Sequence, residues 1–462
     1  MKHVHLVGIG GTGLSAIARV LVESGYQVSG SDRELSPLAQ HLVAAGAQIS
    51  IGHQAENIVG SDVVVCSSAV PDDNVEVQAA RAAGIPVMKR SQFVGQILDD
   101  YSTIAVAGTH GKTTTSAMIA WLLTALDQDP SYILGGVSEN LSTNARAGKG
   151  AWFVIEADEY DRMFLGLRPD MAVVTNVEHD HPDCFPTAQE FHQAFEDFVD
   201  CLTPDGVLLA CGDDPGARDL ARSKSLAEKP TFLYGLDHPS PLDYSGKNTN
   251  REAGGGYAFD AFYKGDFLTR ISLQVPGKHN AQNALAAIAV AHRLSLPLDA
   301  AALALGEFKG TGRRFEVRGE AAGVVVVDDY AHHPTEIRAT LAAAQARYPD
   351  RQLWVVWQPH TYSRTRLLFD RFTRAFDQAD HVLVTEVYPA RELAQPDFSA
   401  RQVVNAMQHP DVHFIPDLVK ATAFLLARLQ PGSVLLVLSA GDADMISSRV
   451  LAGLPESEEN HV

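Results

Sequence analysis

The sequence predicts an α/β protein assembled from consecutive parallel-sheet domains, and three observations predict it. Short apolar strands alternate with helical patterns along most of the chain, as in a parallel sheet with crossover helices. That alternation restarts at Ser102 and again near Gly319. At 462 residues, 46% of them apolar, the chain is too long for one core and leaves room for two to four domains. The expected divisions are 1–100, 101–318 and 319–462.

In order, residues 3–8 read as a strand ending in Gly8-Ile-Gly-Gly-Thr-Gly13. Leu14, Ile17, Val20 and Leu21 then keep helical spacing before Gly25. A strand from Tyr26 to Gly30 ends at Ser31-Asp32, and Val63–Cys66 is a buried strand leading to Ser67. The second unit opens with Ile104–Ala107 and a helix from Thr114 to Leu126. It continues with strands at Trp152–Ile155, Ala172–Thr175 and Gly206–Ala210, and helices near Ala188–Leu202 and Asn280–Arg293. Gly246 to Gly256, rich in Lys, Asn and Gly, reads as a flexible loop. The third unit carries strands at Val324–Val327, Leu353–Trp357, Val382–Val384 and Val434–Leu438. Its helices are expected from Thr335 and near Arg366–Phe376. The acidic end, Pro455 to Val462, reads as frayed.

A formal net charge of −19 argues against a broad nucleic-acid or anionic-membrane surface. Met1 runs almost directly into a strand, so no signal peptide is expected, and no apolar run reaches transmembrane length. Cys66, Cys184, Cys201 and Cys211 form no Cys-x-x-Cys pair, which fits a reduced, cytoplasmic protein. Charge and composition allow a monomer or a homodimer.

Gly108-Thr-His-Gly-Lys112-Thr113-Thr114 ends an apolar strand and opens a helix. Gly108 and Gly111 let backbone N–H groups turn toward phosphate oxygens, Lys112 reaches β/γ-phosphates, and Thr113 offers a hydroxyl to Mg²⁺. Val106 stands where the full Walker pattern has glycine, so the loop is a shortened variant. Gly8, Gly10 and Gly13 fit G-x-G-x-x-G, and Asp32 lies nineteen residues beyond Gly13, where a carboxylate meets a ribose. NAD and a UDP-sugar both satisfy that loop.

Glu156-Ala-Asp-Glu159 follows a buried strand, where carboxylates beside a triphosphate hold Mg²⁺. Glu178-His179-Asp180-His181-Pro182-Asp183 gathers more carboxylates and histidines than solubility requires, and Cys184 beside His179 and His181 leaves zinc as an alternative. Asn280 and Asn283 open a helix, either as purine contacts or as caps. Arg313-Arg314 follows two glycines, suited to phosphate contact or a hinge. Asp328-Asp329-Tyr330-Ala-His332-His333 and Gln358-Pro359-His360-Thr361-Tyr362-Ser363-Arg364 place His and Arg at two strand ends, as a carboxylate site would.

Taken together and in this order, these motifs resemble the Mur ligase family over nearly the whole chain. The resemblance implies a Rossmann-like N-terminal domain, a central P-loop ATPase domain and a Rossmann-like C-terminal domain. It implies UDP-sugar contacts from Gly8, Gly10, Gly11, Thr12, Gly13, Ser31, Asp32 and Ser67. ATP contacts are implied for Gly108, Thr109, His110, Gly111, Lys112, Thr113, Thr114, His279, Asn280, Asn283, Arg313 and Asp328. Thr113, Glu156 and His181 are the implied Mg²⁺ ligands, and His332, His360 and Arg364 the implied amino-acid contacts, with Lys112, His332 and Arg364 catalytic. The implied reaction phosphorylates the lactyl carboxylate of UDP-N-acetylmuramate with ATP, and L-alanine's amine attacks the acyl phosphate. Many members carry arginine where this chain has Thr361. No lysine occurs between Lys149 and Lys224, so the carbamylated lysine of several sister ligases is absent, as in the alanine-adding branch. Closure of the third domain is expected, with hinges near Thr103 and Gly319.

Overall fold

The computed structural model describes residues 3–223 and 229–455. The expectation of a frayed acidic end therefore lies, after Pro455, outside the described residues.

Five strands, β1 (His3–Val7), β2 (Gln27–Asp32), β3 (Gln48–Ile51), β4 (Val63–Cys66) and β5 (Val87–Lys89), form an all-parallel sheet in the order β3-β2-β1-β4-β5. The central strands β1 and β4 are buried along their length and rich in valine, as strands covered on both faces must be. The glycine loop leaves β1 where the strand order reverses, the crevice in which such sheets bind ligands.

The second sheet holds β6 (Ser102–Ala107), β7 (Ser131–Ser138), β8 (Thr143–Arg146), β9 (Trp152–Glu156), β10 (Met171–Val174), β11 (Val207–Cys211), β12 (Thr231–Leu236), β13 (Tyr244–Arg251), β14 (Tyr257–Tyr263) and β15 (Asp266–Ser272). Their order is β15-β14-β13-β12-β11-β10-β6-β9-β7-β8. The chain departs from β6 to β9 on one side and β10 on the other, so the loop after β6 also sits at a switch point. Residues 246–256 are no flexible loop: most belong to β13, which pairs in parallel with β12 and antiparallel with β14.

The third sheet holds β16 (Glu316–Ala321), β17 (Val324–Asp329), β18 (Gln352–Gln358), β19 (His381–Val384), β20 (Val412–Phe414) and β21 (Ser433–Ser439) in the order β16-β17-β21-β18-β19-β20. Only β16 runs antiparallel.

The cores separate unequally. One continuous apolar cluster spans the first two sheets, whereas the third sheet has clusters of its own on each face. The helix Arg90–Leu98 lies backbone-to-backbone against the 160–166 segment: a Cβ on Gly95 would sit 2.6 Å from the Gly166 carbonyl oxygen, so only glycine fits. These contacts make one body of the first two domains. Neither position expected to be a hinge turn is a turn. Thr103 is buried within β6, and Gly319 is within β16. The chain between the last helix of the second unit, Leu298–Gly306, and β16 links the second domain to the third.

Candidate active site

The loop after β6 is shaped by its glycines. Gly108 and Gly111 adopt φ of 139° and 80°, values that favour glycine, and the helix Lys112–Ala125 begins at once. Two of the loop amides are already engaged, since Thr109 N–H donates to the Asn176 carbonyl (3.2 Å) and His110 N–H to Asn176 Oδ1 (2.8 Å). The anion-binding donors are thus those at the helix N-terminus rather than the whole loop. Lys112 Nζ lies 2.8 Å from Glu159 and also donates to the Gly108 and Thr109 carbonyls. Burial pulls the ammonium down, but Glu159, Glu156 and Asp158 outweigh it and hold Lys112 above its ordinary value. Glu159 is buried too, yet Lys112 and His181 keep its carboxyl low.

A cavity of about 1030 Å³ opens beside this loop, between the second and third domains. Gly111, Thr113, Thr114, His279, Asn280 and Asn283 line it, and His110 borders it with its ring nitrogens turned to Glu178 and Glu336. Asn280 Nδ2 donates to the Pro276 carbonyl (2.7 Å), and its Oδ1 accepts from Asn283, which packs beneath Gly111. Burial keeps His279 neutral, its pKa lowered to about 4.

Two residues expected to contact nucleotide face away from this cavity, while their chain neighbours line it. Asp328 points to the opposite face of β17, where it accepts from Ser447, while Asp329 lines the cavity and accepts from Phe315 and Ala331 amides. Arg313 turns away to the Ser439 carbonyl (2.7 Å), and Arg314 lines the cavity beside Glu336 (3.7 Å). Strand alternation and a positive φ of 56° at Arg313 set these directions.

Glu156 accepts from Gly135 N–H (2.9 Å) and from Thr113, and burial is the main cause of its raised pKa. The two oxygen donors are together as expected. His181, the third expected ligand, has its Nε2 facing Glu159 (3.5 Å) and its Nδ1 facing the Arg364 guanidinium (3.4 Å). The zinc alternative fails, since His179 bonds the Phe185 carbonyl. Among the described residues, the one group of three or more His, Cys, Asp or Glu side chains close enough to share a metal is His110, Glu178 and His333. There His110 already lies between two carboxylates, which raise its pKa to about 9 against the effect of burial.

The third domain delivers His332, His360 and Arg364 to the same cleft. His332 Nδ1 donates to the Tyr330 carbonyl (2.8 Å), which leaves Nε2 with a free lone pair. Burial first, then Arg364, lowers its pKa to about 4, so the ring is neutral. His360 lies 5.8 Å from it, ring centre to ring centre, and accepts from Arg364 Nη1 (3.0 Å). Arg364 does not match a carboxylate-binding role in this conformation. It is 2% exposed and forms a bidentate pair with Asp180 of the second domain (2.6 and 3.1 Å). Thr361 precedes it at a φ of 66°, a strained conformation for a β-branched residue.

In the first domain Asp32 accepts from Gly10 N–H (2.8 Å), and Ser67 borders Gly8. Thr12 and Gly11 are exposed at the helix N-terminus, with Gly13 beside them. Ser31 is fully buried with its hydroxyl on Glu76 and His53, so its side chain is not at the loop. Sequence reasoning missed Arg90, which lies over Gly13 and pairs with Asp158 of the second domain (3.1 Å). Nor does the sequence show that Glu159 pairs with Lys112, Asp180 with Arg364 and Glu336 with His110, since each partner lies far away along the chain. All four cysteines are free, and burial raises each thiol, Cys211 to about 12.

Residues 3–102 match the Mur ligase family, catalytic domain; 106–291 match the Mur ligase middle domain; and 313–441 match the Mur ligase, glutamate ligase domain. The UDP-N-acetylmuramate–L-alanine ligase of Roseiflexus sp. (strain RS-1) is 43% identical over 97% of this chain and 98% of its own. That of Geobacter sp. (strain M21) is 42% identical over 100% of this chain and 99% of its own. Among solved structures, the UDP-N-acetylmuramate-alanine ligase of Thermotoga maritima superposes with a TM-score of 0.81 at 28% identity, covering 98% of this chain and 99% of that one. A murein peptide ligase from Psychrobacter arcticus gives 0.72 at 26% identity, covering 98% of each.

Proposed function

The chain belongs to the Mur ligase family, and from that premise we propose that it joins L-alanine to UDP-N-acetylmuramate with cleavage of ATP, a cytoplasmic step in peptidoglycan precursor synthesis. Relatives carrying that activity in their names run the length of both chains at 42–43% identity. The observation that carries the reading is a continuous run of polar contacts from the phosphate loop to the third domain: Lys112 pairs with Glu159, Glu159 faces His181, and the neighbouring Asp180 pairs with Arg364 and lies 3.9 Å from His332, while Arg90 of the first domain pairs with Asp158 beside Glu159.

A free carboxylate is a poor electrophile, so the lactyl oxygen first attacks the γ-phosphorus of ATP and the β–γ bridging bond breaks, releasing ADP. Lys112 and the N–H groups at the start of Lys112–Ala125 stabilise charge on the transferring group. Thr113 and Glu156 form an oxygen pair that fits Mg²⁺, and the buried Glu156 carboxylate gains a counter-charge from it. When bound there, Mg²⁺ supplies charge neutralisation to the phosphates. The alanine nitrogen then attacks the acyl carbon, the C–O bond to phosphate breaks, and the His332 Nε2 lone pair takes the proton released. The N–H groups at the start of the helix Thr12–Glu23, together with Arg90, hold the diphosphate of the sugar nucleotide.

The test is phosphate release from ATP and Mg²⁺ with UDP-N-acetylmuramate and, in parallel, each of the twenty amino acids and the tripeptide L-alanyl-γ-D-glutamyl-meso-diaminopimelate. Release that requires both the sugar nucleotide and L-alanine is expected. Release with the tripeptide alone would move the chain to the murein-peptide branch.

A further inference from the structure

One side chain of the phosphate loop does not face the nucleotide cavity alone. The His110 ring lies between Glu178 Oε2 of the second domain (3.0 Å) and Glu336 Oε1 of the third (3.2 Å). Its backbone is fixed from the other side, because the carbonyl accepts from Thr175 Oγ1 (2.6 Å) and Asn176 Nδ2 (3.0 Å). Glu336 in turn accepts through Oε2 from the N–H groups of His332 (3.1 Å) and His333 (3.3 Å), and caps the helix Pro334–Arg347. The segment carrying the proposed proton acceptor is therefore hung on the carboxylate that His110 holds.

We infer that His110 is a positioning residue which, through Glu336, ties the phosphate loop of the second domain to the His332 segment of the third. The inference rests on the ligase reading above. Its physical content is that the connection is short and polar at every joint. A ring with carboxylate oxygens at about 3 Å from both nitrogens donates at both, and neither carboxylate can be abandoned inside the closed interface without leaving a charge unpaired. Glu178 is itself braced by Arg371 (2.5 Å) and Thr335 Oγ1 (3.1 Å), both from the third domain. A movement of the loop on filling with phosphate thus reaches His332 through two side chains. Ordering of the nucleotide side and of the amine side become one event, so that the acyl phosphate forms where the amine can meet it.

The test reads the link without requiring turnover. Hydrogen–deuterium exchange over residues 330–338 is followed in the full chain with and without the β,γ-imido analogue of ATP and Mg²⁺. The analogue should slow exchange there in the wild type, and His110→Gln and Glu336→Gln should each abolish that slowing while still binding the analogue. An unchanged response in both variants, or loss of analogue binding in His110→Gln, overturns the inference, the latter because His110 would then be a nucleotide contact. In turnover, each variant should lose about tenfold or more in kcat/KM for L-alanine with KM for ATP little changed, and the double variant should be no worse than the weaker single one. Additive losses also overturn it. A wild type inactive with L-alanine would count against the ligase reading alone, since the exchange measurement stands without it.

Discussion

Lys112 and Glu159 form a buried pair at the centre of the cleft, at 2.8 Å and with side chains only 12% and 1% exposed. Lys112→Ala is expected to lower turnover by about a hundredfold or more, with UDP-sugar binding by calorimetry retained. It also strands Glu159, so the same variant should melt earlier at neutral pH, and adding Glu159→Gln should restore the melting temperature without restoring activity. A second residue-scale prediction separates the two aspartates at the end of β17. Burial pushes Asp328 up to about 6 from 3.8. A raised carboxyl favours the folded state below its unfolded pKa and disfavours it progressively as pH rises through the folded one. Asp328→Asn should therefore gain stability relative to wild type between pH 4 and pH 7, read from melts across that range, with KM for ATP unchanged. Asp329→Asn should raise KM for ATP. Before the structure, Asp328 and Arg313 were indistinguishable from Asp329 and Arg314, because composition marks a polar strand end but not which face each residue takes. Lys112, Thr113 and Glu156 were legible because a glycine turn and a strand end leave their direction little freedom.

The helix Tyr362–Leu367 shows what a short element contributes to a site. Its N-terminus has no cap of its own at Thr361, and Glu392 from a distant loop supplies one, accepting from Tyr362 N–H, Ser363 N–H and the Ser363 hydroxyl. Glu392→Ala should cost about 1 kcal/mol in urea unfolding. It should also weaken catalysis, because His360 and Arg364 stand at either side of that helix end. Nothing local in the sequence announces a cap 29 residues away. The same reason hid β13: Lys247, Asn248 and Asn250 are solvent-facing, and the strand exists through its pairing with β12 and β14 rather than through its own composition. Strands such as β4, β17 and β21 needed no partner to be recognised, since buried valine and leucine runs of that length have few other uses in a parallel sheet.

At the scale of the molecule, two domains share a core and the third is joined across the cleft by polar contacts: Asp180–Arg364, Glu178–Arg371, His110–Glu336 and Asp183–Arg391. Such an interface is sensitive to charge in a way a hydrophobic core is not. His110 has its pKa raised to about 9, so what it contributes to closure is fully present below its unfolded pKa and lost as pH rises through 9. The groups facing it are Glu178, Glu336 and His333, with Arg314 and Arg371 behind the two carboxylates. Small-angle scattering should show the radius of gyration growing between pH 7 and pH 10, and His110→Gln should be expanded already at pH 7 and nearly indifferent to the change. The native thiols make a sharper view of that motion practical. Burial raises every native thiol and Cys66 and Cys211 lie in the core, so changing the half-buried Cys184 and Cys201 to serine leaves maleimide dyes little to react with. Val59 and Val419, 74% and 62% exposed on the fused body and on the third domain, can each be changed to cysteine and labelled over a quiet background. The chain thereby becomes its own optical ruler, one fluorophore on either side of the cleft, with only two native sulfurs replaced.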